Sequence, residues 1–226
     1  MEWDEIETKT KFIYDCVPDD FDIIETMLCV NGRILYESGH KKRMFRSAKF
    51  FNFPLDILEL SGCFDNIKLK FKKGRYLCRI TVNKKGVLTK KTERLIDIND
   101  AKRKRVKISK EVIEKENIFL RHKLSYRPWY ERSVGFIKNG IFWDEIFFNQ
   151  NGELCEGSRS NVFLEIKGQL YTPPVECGLL SGLLREKLLA DKKCREKILY
   201  REDLESADRI FCGNSVRGLN EVDLIV

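Results

Sequence analysis

The chain has 226 residues, 42% hydrophobic and 11% aromatic, enough for one large or two small packed domains and too apolar for global disorder. Its formal charge of +7, from 42 basic and 35 acidic residues, is a mild excess spread along the chain that suits anionic small molecules as well as nucleic acid. No apolar run approaches ~18 residues, which excludes a membrane-spanning helix, and the acidic start Met1-Glu-Trp-Asp-Glu-Ile-Glu7 lacks the apolar core of a signal, so a cytoplasmic chain is expected.

Phe21 to Val30 reads as a strand, and Asn31-Gly32 as a hairpin turn into Arg33 to Tyr36. Lys42 to Phe51 and Pro54 to Leu60 read as helices, with Pro54 suited to a first turn. Ile67, Leu69 and Phe71 alternate with polar residues as in a strand, and Lys73-Gly74 turns the chain into a further strand, Tyr76 to Val82. Polar, charged sequence from Lys84 to about Lys107 reads as a linker that contains the domain junction. The expected division is a small α+β domain over 1–92 and a larger α/β domain over 93–226.

In the second part, Glu111 to Phe119 is expected to be helical or irregular, and Glu131 to Asn139 a helix stopped by Gly140. Strands are expected at Ile141 to Phe148 and Val162 to Ile166, with turns at Asn151-Gly152 and Lys167-Gly168, the latter leading into Gln169 to Tyr171. Leu183 to Ala190 reads as a helix, and Arg209 to Cys212 as a short buried strand before Gly213-Asn214-Ser215. The eight cysteines, at 16, 29, 63, 78, 155, 177, 194 and 212, form no Cys-x-x-Cys, and there are only two histidines. No metal-site spacing results, and buried, reduced thiols are expected.

Three features could carry chemistry. Gly178-Leu-Leu-Ser-Gly182 leads directly into a helix, where free backbone N–H groups and the positive helix end favour a phosphate-sized anion; the same residues also fit a Ser-capped helix. Gly213-Asn214-Ser215 offers a second set of donors, and Arg43 a fixed cation. Glu156, between Cys155 and Gly157, would need a partner if buried, and Asn161 could supply it by hydrogen bond. Lys123, among apolar and aromatic residues but next to cations, could have a lowered pKa and act as a nucleophile. Taken singly, each is also compatible with an ordinary surface or loop residue. The short run Lys102-Arg103-Lys104-Arg105 and the positive net charge point to nucleic acid, but the run is short and lies among mixed charges.

Taken together, His40-x-x-Arg43, His122-Lys123, Glu156-Gly-Ser-x-Ser-Asn161, Thr172-Pro173, Leu180-Ser-Gly-Leu-Leu-Arg185 and Gly213-Asn214-Ser215 resemble the class IV aminotransferase family over about residues 20 to 220. The resemblance implies a fold-type IV, branched-chain or D-amino-acid aminotransferase-like enzyme that uses pyridoxal 5'-phosphate. It implies that Lys123 forms the covalent link to the cofactor and then acts as a base. It further implies that Glu156, held by Asn161, bonds the pyridine nitrogen, and that Arg43, the backbone at Leu183 and Leu184, and Asn214 with Ser215 hold the phosphate. Tyr126 or Tyr130 is expected at the ring hydroxyl, and Arg79 is a candidate for a substrate carboxylate.

Within the family, Phe21-Asp-Ile-Ile-Glu-Thr-Met27 and the segment from His40 to Ala48 look most like aminodeoxychorismate lyase, in particular the version fused to a chorismate-aminating enzyme. The implied reaction releases 4-aminobenzoate, a folate precursor, and pyruvate from 4-amino-4-deoxychorismate. The implied assembly is a homodimer, with a chorismate-aminating enzyme as a candidate partner. A transaminase acting on a branched-chain or D-amino acid is the alternative, and a nucleic-acid-binding protein a remote one.

Overall fold

The computed structural model describes residues 20–95 and 104–225; Cys16, Lys102 and Arg103 lie outside them. It is a mixed α/β structure with two sheets. The first sheet runs β2-β1-β3-β4, with β1 at Ile23–Val30, β2 at Arg33–Ile34, β3 at Arg75–Val82 and β4 at Leu88–Leu95, and all its pairings are antiparallel. Asn31 and Gly32 both take positive φ (49° and 76°), the geometry a two-residue hairpin needs to match strand twist. Helices α1 (Glu37–Phe50) and α2 (Ile57–Lys70) cover this sheet. Their buried Met44, Ala48, Leu60, Phe64 and Ile67 join Ile23, Met27, Cys78, Ile80 and Val82 in one core.

Three expectations are corrected here. Ile67 and Leu69 belong to α2, because Leu60, Cys63, Phe64 and Ile67 recur at helical spacing on the buried face while Leu69 is 66% exposed. Asp56, rather than Pro54, starts that helix, accepting from the N–H groups of Leu58 and Glu59 at 2.6 and 3.1 Å. The supposed linker holds β4, which runs past the expected junction at 92, and the start of β5 (Lys104–Ile113). The inner six residues of β4 are exposed and mostly charged, yet it pairs with β3 from Leu88 to Leu95; this is the composition of a protected edge strand.

The second sheet contains β5, β6 (Asp144–Asn149), β7 (Leu154–Gly157), β8 (Asn161–Ile166), β9 (Gln169–Thr172), β10 (Arg195–Glu196), β11 (Arg209–Asn214) and β12 (Gly218–Ile225). Its order is β10-β9-β8-β11-β12-β5-β6-β7, and β7 also pairs with β8, so six strands close into a ring. The seam of that closure is the pair Glu156 and Asn161. Val106, Ile146, Leu154, Val162, Leu164, Cys212 and Val222 form the core of this sheet.

The helices α3 (Glu131–Lys138) and α4 (Leu183–Ala190) form where the sequence pattern places them, while α5 (Arg201–Ser206), β7, β10 and β12 were not expected. Glu111 to Phe119 is neither helix nor irregular throughout: β5 continues to Ile113, and a 3₁₀ turn spans Ile118–Arg121. The seven described cysteines are free and buried. No helix among the described residues is long and apolar enough to cross a membrane.

Candidate active site

The segment after the 3₁₀ turn crosses to the first sheet. The Lys123 carbonyl accepts from Ile24 N–H at 2.8 Å, the Asp22 carbonyl accepts from Ser125 N–H at 2.8 Å, and Leu124 bridges to Ile23. Leu124 is fully buried, which fixes Lys123 with its side chain on the wall of a cavity of about 420 Å³, counted to its open mouth. Arg43, Glu156, Asn161, Asn214 and Ser215 line the same cavity, so the structure brings together residues more than 170 positions apart in sequence.

The Lys123 amine makes no hydrogen bond or ion pair with the described residues. Burial, then the charges of Arg127 and Arg43, lowers its pKa from 10.5 to about 7, against the opposing pull of Glu25 and Glu156. Glu156 is buried on β7. Its carboxylate accepts from the Tyr130 hydroxyl at 3.0 Å and from Asn161 Nδ2 at 3.2 Å. Burial pushes its pKa up to about 8 in spite of Tyr130, the Leu180 backbone, Arg127 and Lys123. Asn161 Nδ2 also donates to the Leu180 carbonyl at 2.9 Å, tying the strand to the loop before α4.

Arg43 reaches the site from α1. Its Nε and Nη2 donate to the two oxygens of Glu25 at 2.7 and 2.8 Å, and Nη1 donates to the Ser181 carbonyl at 3.2 Å. Glu25 is fully buried and also meets His40 Nδ1 at 2.6 Å. Burial alone would raise the Glu25 pKa, but the charge and hydrogen bonds of Arg43, with His40, bring it down to about 2. Three of the five guanidinium N–H donors of Arg43 are thus used, and two remain for a ligand.

Gly182 caps α4 without a side-chain hydrogen bond, so N–H groups of the first turn, at Leu183 and Leu184, have no side-chain partner at the cap. A Cβ on Gly182 would overlap Asn161 Oδ1, so only glycine lets the loop sit against Asn161. The side chain of Asn214 is committed to its own turn. Its oxygen accepts from the N–H groups of Val216 and Arg217 at 3.0 and 2.9 Å, and its nitrogen donates to the Arg159 carbonyl at 3.0 Å.

Of the two tyrosines, neither lines the cavity itself; Tyr130 reaches it through its hydrogen bond to Glu156, while Tyr126 packs against Phe119 and Trp129. Arg79 is exposed on β3 and lines a different hollow, beside Leu77 and Lys91. Sequence reasoning did not single out Arg127, Arg159 or Asp144. Asp144 is buried and accepts from the hydroxyls of Ser158 and Ser160, which shapes the segment carrying Arg159. The serines of Glu-Gly-Ser-x-Ser-Asn were the available signal for such a carboxylate.

The model of the family described as Amino-transferase class IV matches residues 22–225. Among solved structures, a "Putative amino-acid aminotransferase" from Mesorhizobium loti superposes with a TM-score of 0.83 at 30% identity, covering 91% of this chain and 100% of that one. Among curated proteins, a "Probable branched-chain-amino-acid aminotransferase" of Thermotoga maritima is 37% identical over 90 residues, 35% of this chain and 33% of that protein. A "Putative aminodeoxychorismate lyase" of Schizosaccharomyces pombe is 30% identical over 86 residues, 37% of this chain and 37% of that protein. The matched stretches therefore span about a third of these two curated relatives.

Proposed function

Because this chain belongs to the class IV aminotransferase family, whose members are pyridoxal-phosphate-dependent enzymes of the type IV fold, we propose that it is a lyase converting 4-amino-4-deoxychorismate to 4-aminobenzoate and pyruvate. The residues of the cavity fit the cofactor on their own chemistry. Glu156 is a buried carboxyl with neutral hydrogen-bond donors but no ion pair, the partner a protonated ring nitrogen requires. At the other side, the spare donors of Arg43, the uncapped start of α4 and the turn at Asn214 and Ser215 make an anion cradle. Lys123, with a pKa near 7, is a nucleophile at neutral pH. Tyr130, through Glu156, serves as a positioning residue.

When bound, pyridoxal phosphate supplies an electron sink next to the substrate's amine-bearing carbon. Glu156 keeps the ring nitrogen protonated. Lys123 would hold the cofactor and would serve as the base at the carbon bearing nitrogen, and its depressed pKa suits it to hold and release a proton near neutrality. The pyruvate half leaves and recovers one proton at its methylene carbon, so that 4-aminobenzoate and pyruvate together hold every atom of the substrate.

The observation that carries the choice of substrate is the cavity wall. Among its described lining residues only Leu180 has an aliphatic side chain, and, with Arg43 and Lys123 assigned to the cofactor, Arg127 and Arg159 are the cations left to a substrate. A branched-chain side chain asks for an apolar pocket, and a dicarboxylate asks for this one. The test is incubation of the purified, cofactor-loaded protein with 4-amino-4-deoxychorismate alone. Sustained pyruvate release without an amino acceptor is the expected result; a single turnover that resumes only when a 2-oxo acid is added would identify a transaminase instead.

The same reading includes a role in folate-precursor synthesis, a homodimer, a chorismate-aminating enzyme as partner, and a reducing cytoplasm, the last supported by the free buried thiols. It also takes the two sheets as the centres of two domains, divided after β4 rather than at 92.

A further inference from the structure

Two guanidinium groups on the cavity wall have no assigned work. Arg127 and Arg159 both line it, and among the described residues neither has a carboxylate within ion-pair distance. Both are anchored to backbone oxygen instead. Arg127 Nη1 donates to the Ser158 carbonyl at 3.4 Å, with its guanidinium 5.9 Å from the Tyr130 ring centre. Arg159 Nη2 donates to the Trp143 carbonyl, and its guanidinium lies 4.9 Å from the centre of the Trp143 ring. Arg159 Nε is buried and meets no acceptor. Both arginines are half-buried, and a guanidinium held at a cavity wall by backbone oxygen alone is free to receive an opposite charge. Arg43 does not share this condition, since Glu25 neutralises it.

We propose that Arg127 and Arg159, which line the same cavity, form a receiver for the second carboxylate of a dicarboxylic substrate, the one remote from the reacting amine. This deepens the proposed function and rests on it. The two side chains come from different elements, one from the segment after Lys123 and one from the loop between β7 and β8, so the receiver exists only in the folded site. Arg217 and Arg79 add positive charge nearby, because Arg159 feels the charge of Arg217 and Arg79 that of Arg127. Two buried carboxylates act on the pair at a distance, Asp144 on Arg159 and Glu156 on Arg127, but neither forms an ion pair with its arginine. The planar forks suit a carboxylate held by paired N–H donors.

The test uses full-length protein loaded with pyridoxal phosphate, titrated with glutarate and with pentanoate of equal length while the visible cofactor band is followed. Wild-type protein is expected to bind the dicarboxylate at least tenfold more tightly. Arg159→Gln and Arg127→Gln are each expected to weaken glutarate by about 10- to 100-fold, the loss of a charged hydrogen-bonding partner; Arg159→Gln is expected to leave pentanoate and the band unchanged, and Arg127→Gln, whose charge reaches Lys123, is read by the ratio of glutarate to pentanoate affinity. Arg159→Lys, which keeps charge without the fork, is expected to fall between and serves if the glutamine variant does not fold. Equal glutarate affinity in wild type and variants, with the band intact, would overturn the inference. Wild-type protein without the band would overturn the proposed function instead; calorimetry with the same two acids on that protein then decides the receiver, and equal affinity for both overturns it.

Discussion

Replacing Glu25 by glutamine removes one charge from a fully buried cluster and almost no volume. Glu25 accepts two hydrogen bonds from Arg43 at 2.7 and 2.8 Å and meets His40 at 2.6 Å. Its pKa falls from 4.5 to about 2, a shift worth about 3 kcal/mol of stability by linkage. Breaking a buried ion pair by removing one partner costs ~3–5 kcal/mol, so the two routes agree that Glu25→Gln loses about 3 kcal/mol. The folded-state pKa is the depressed one, so this contribution is complete above the unfolded value of 4.5 and fades as pH falls toward about 2. Urea unfolding of both proteins, at pH 7 and across the acid range, reads the difference. A loss under about 1 kcal/mol at pH 7, or a difference that stays constant as pH falls from 5 toward 2, would refute the electrostatic account of the cluster.

Other consequences concern the cavity. The rate at which cofactor-free protein captures pyridoxal phosphate is expected to rise with pH around a midpoint near 7, because the neutral amine of Lys123 attacks; a midpoint near that of ordinary lysine would contradict the placement among cations. Arg127→Gln removes one of those cations and is expected to move that midpoint upward, measured by the same stopped-flow series. Glu156→Gln keeps the shape of the buried carboxyl but cannot become an anion opposite a protonated ring nitrogen. Product formation is expected to fall by roughly 100-fold or more while the cofactor stays bound, and an unchanged rate would remove Glu156 from the chemistry. Gly182→Ala forces a methyl into Asn161 Oδ1; thermal unfolding is expected to show a loss of roughly 1–3 kcal/mol, and no loss would mean that the loop can yield.

The elements read correctly from sequence were those with local signals. Leu183–Ala190 follows a glycine-framed turn, and the Asn31-Gly32 turn fits only a hairpin. The errors came where tertiary contact overrides local composition. The charged stretch of β4 becomes a strand only because β3 offers it a full ladder, and α2 absorbs an alternating run because its apolar residues also meet the helical period.

Lys123, Glu156 and Asn161 were legible as a motif, and the hydrogen bond between the last two was expected from their spacing. Arg127 and Arg159 were not, since nothing local distinguishes an arginine aimed into a cavity from one in solvent. Asn214 was expected, with Ser215, to offer donors to an anion; the commitment of its side chain to its own turn was not foreseen. Choosing Tyr130 over Tyr126 as a neighbour of the site needed the register of β7 against the segment after Lys123, which no sequence pattern supplies.

The central claim is that the amine at position 123 joins pyridoxal phosphate inside this cavity. Borohydride reduction of the protein incubated with pyridoxal phosphate, followed by peptide mass analysis, tests it directly. The account predicts one pyridoxyl group per chain, on the peptide containing Lys123, with no yellow absorption band and no such label in Lys123→Ala. A label distributed over surface lysines, or found on Lys123→Ala to the same extent, would contradict it.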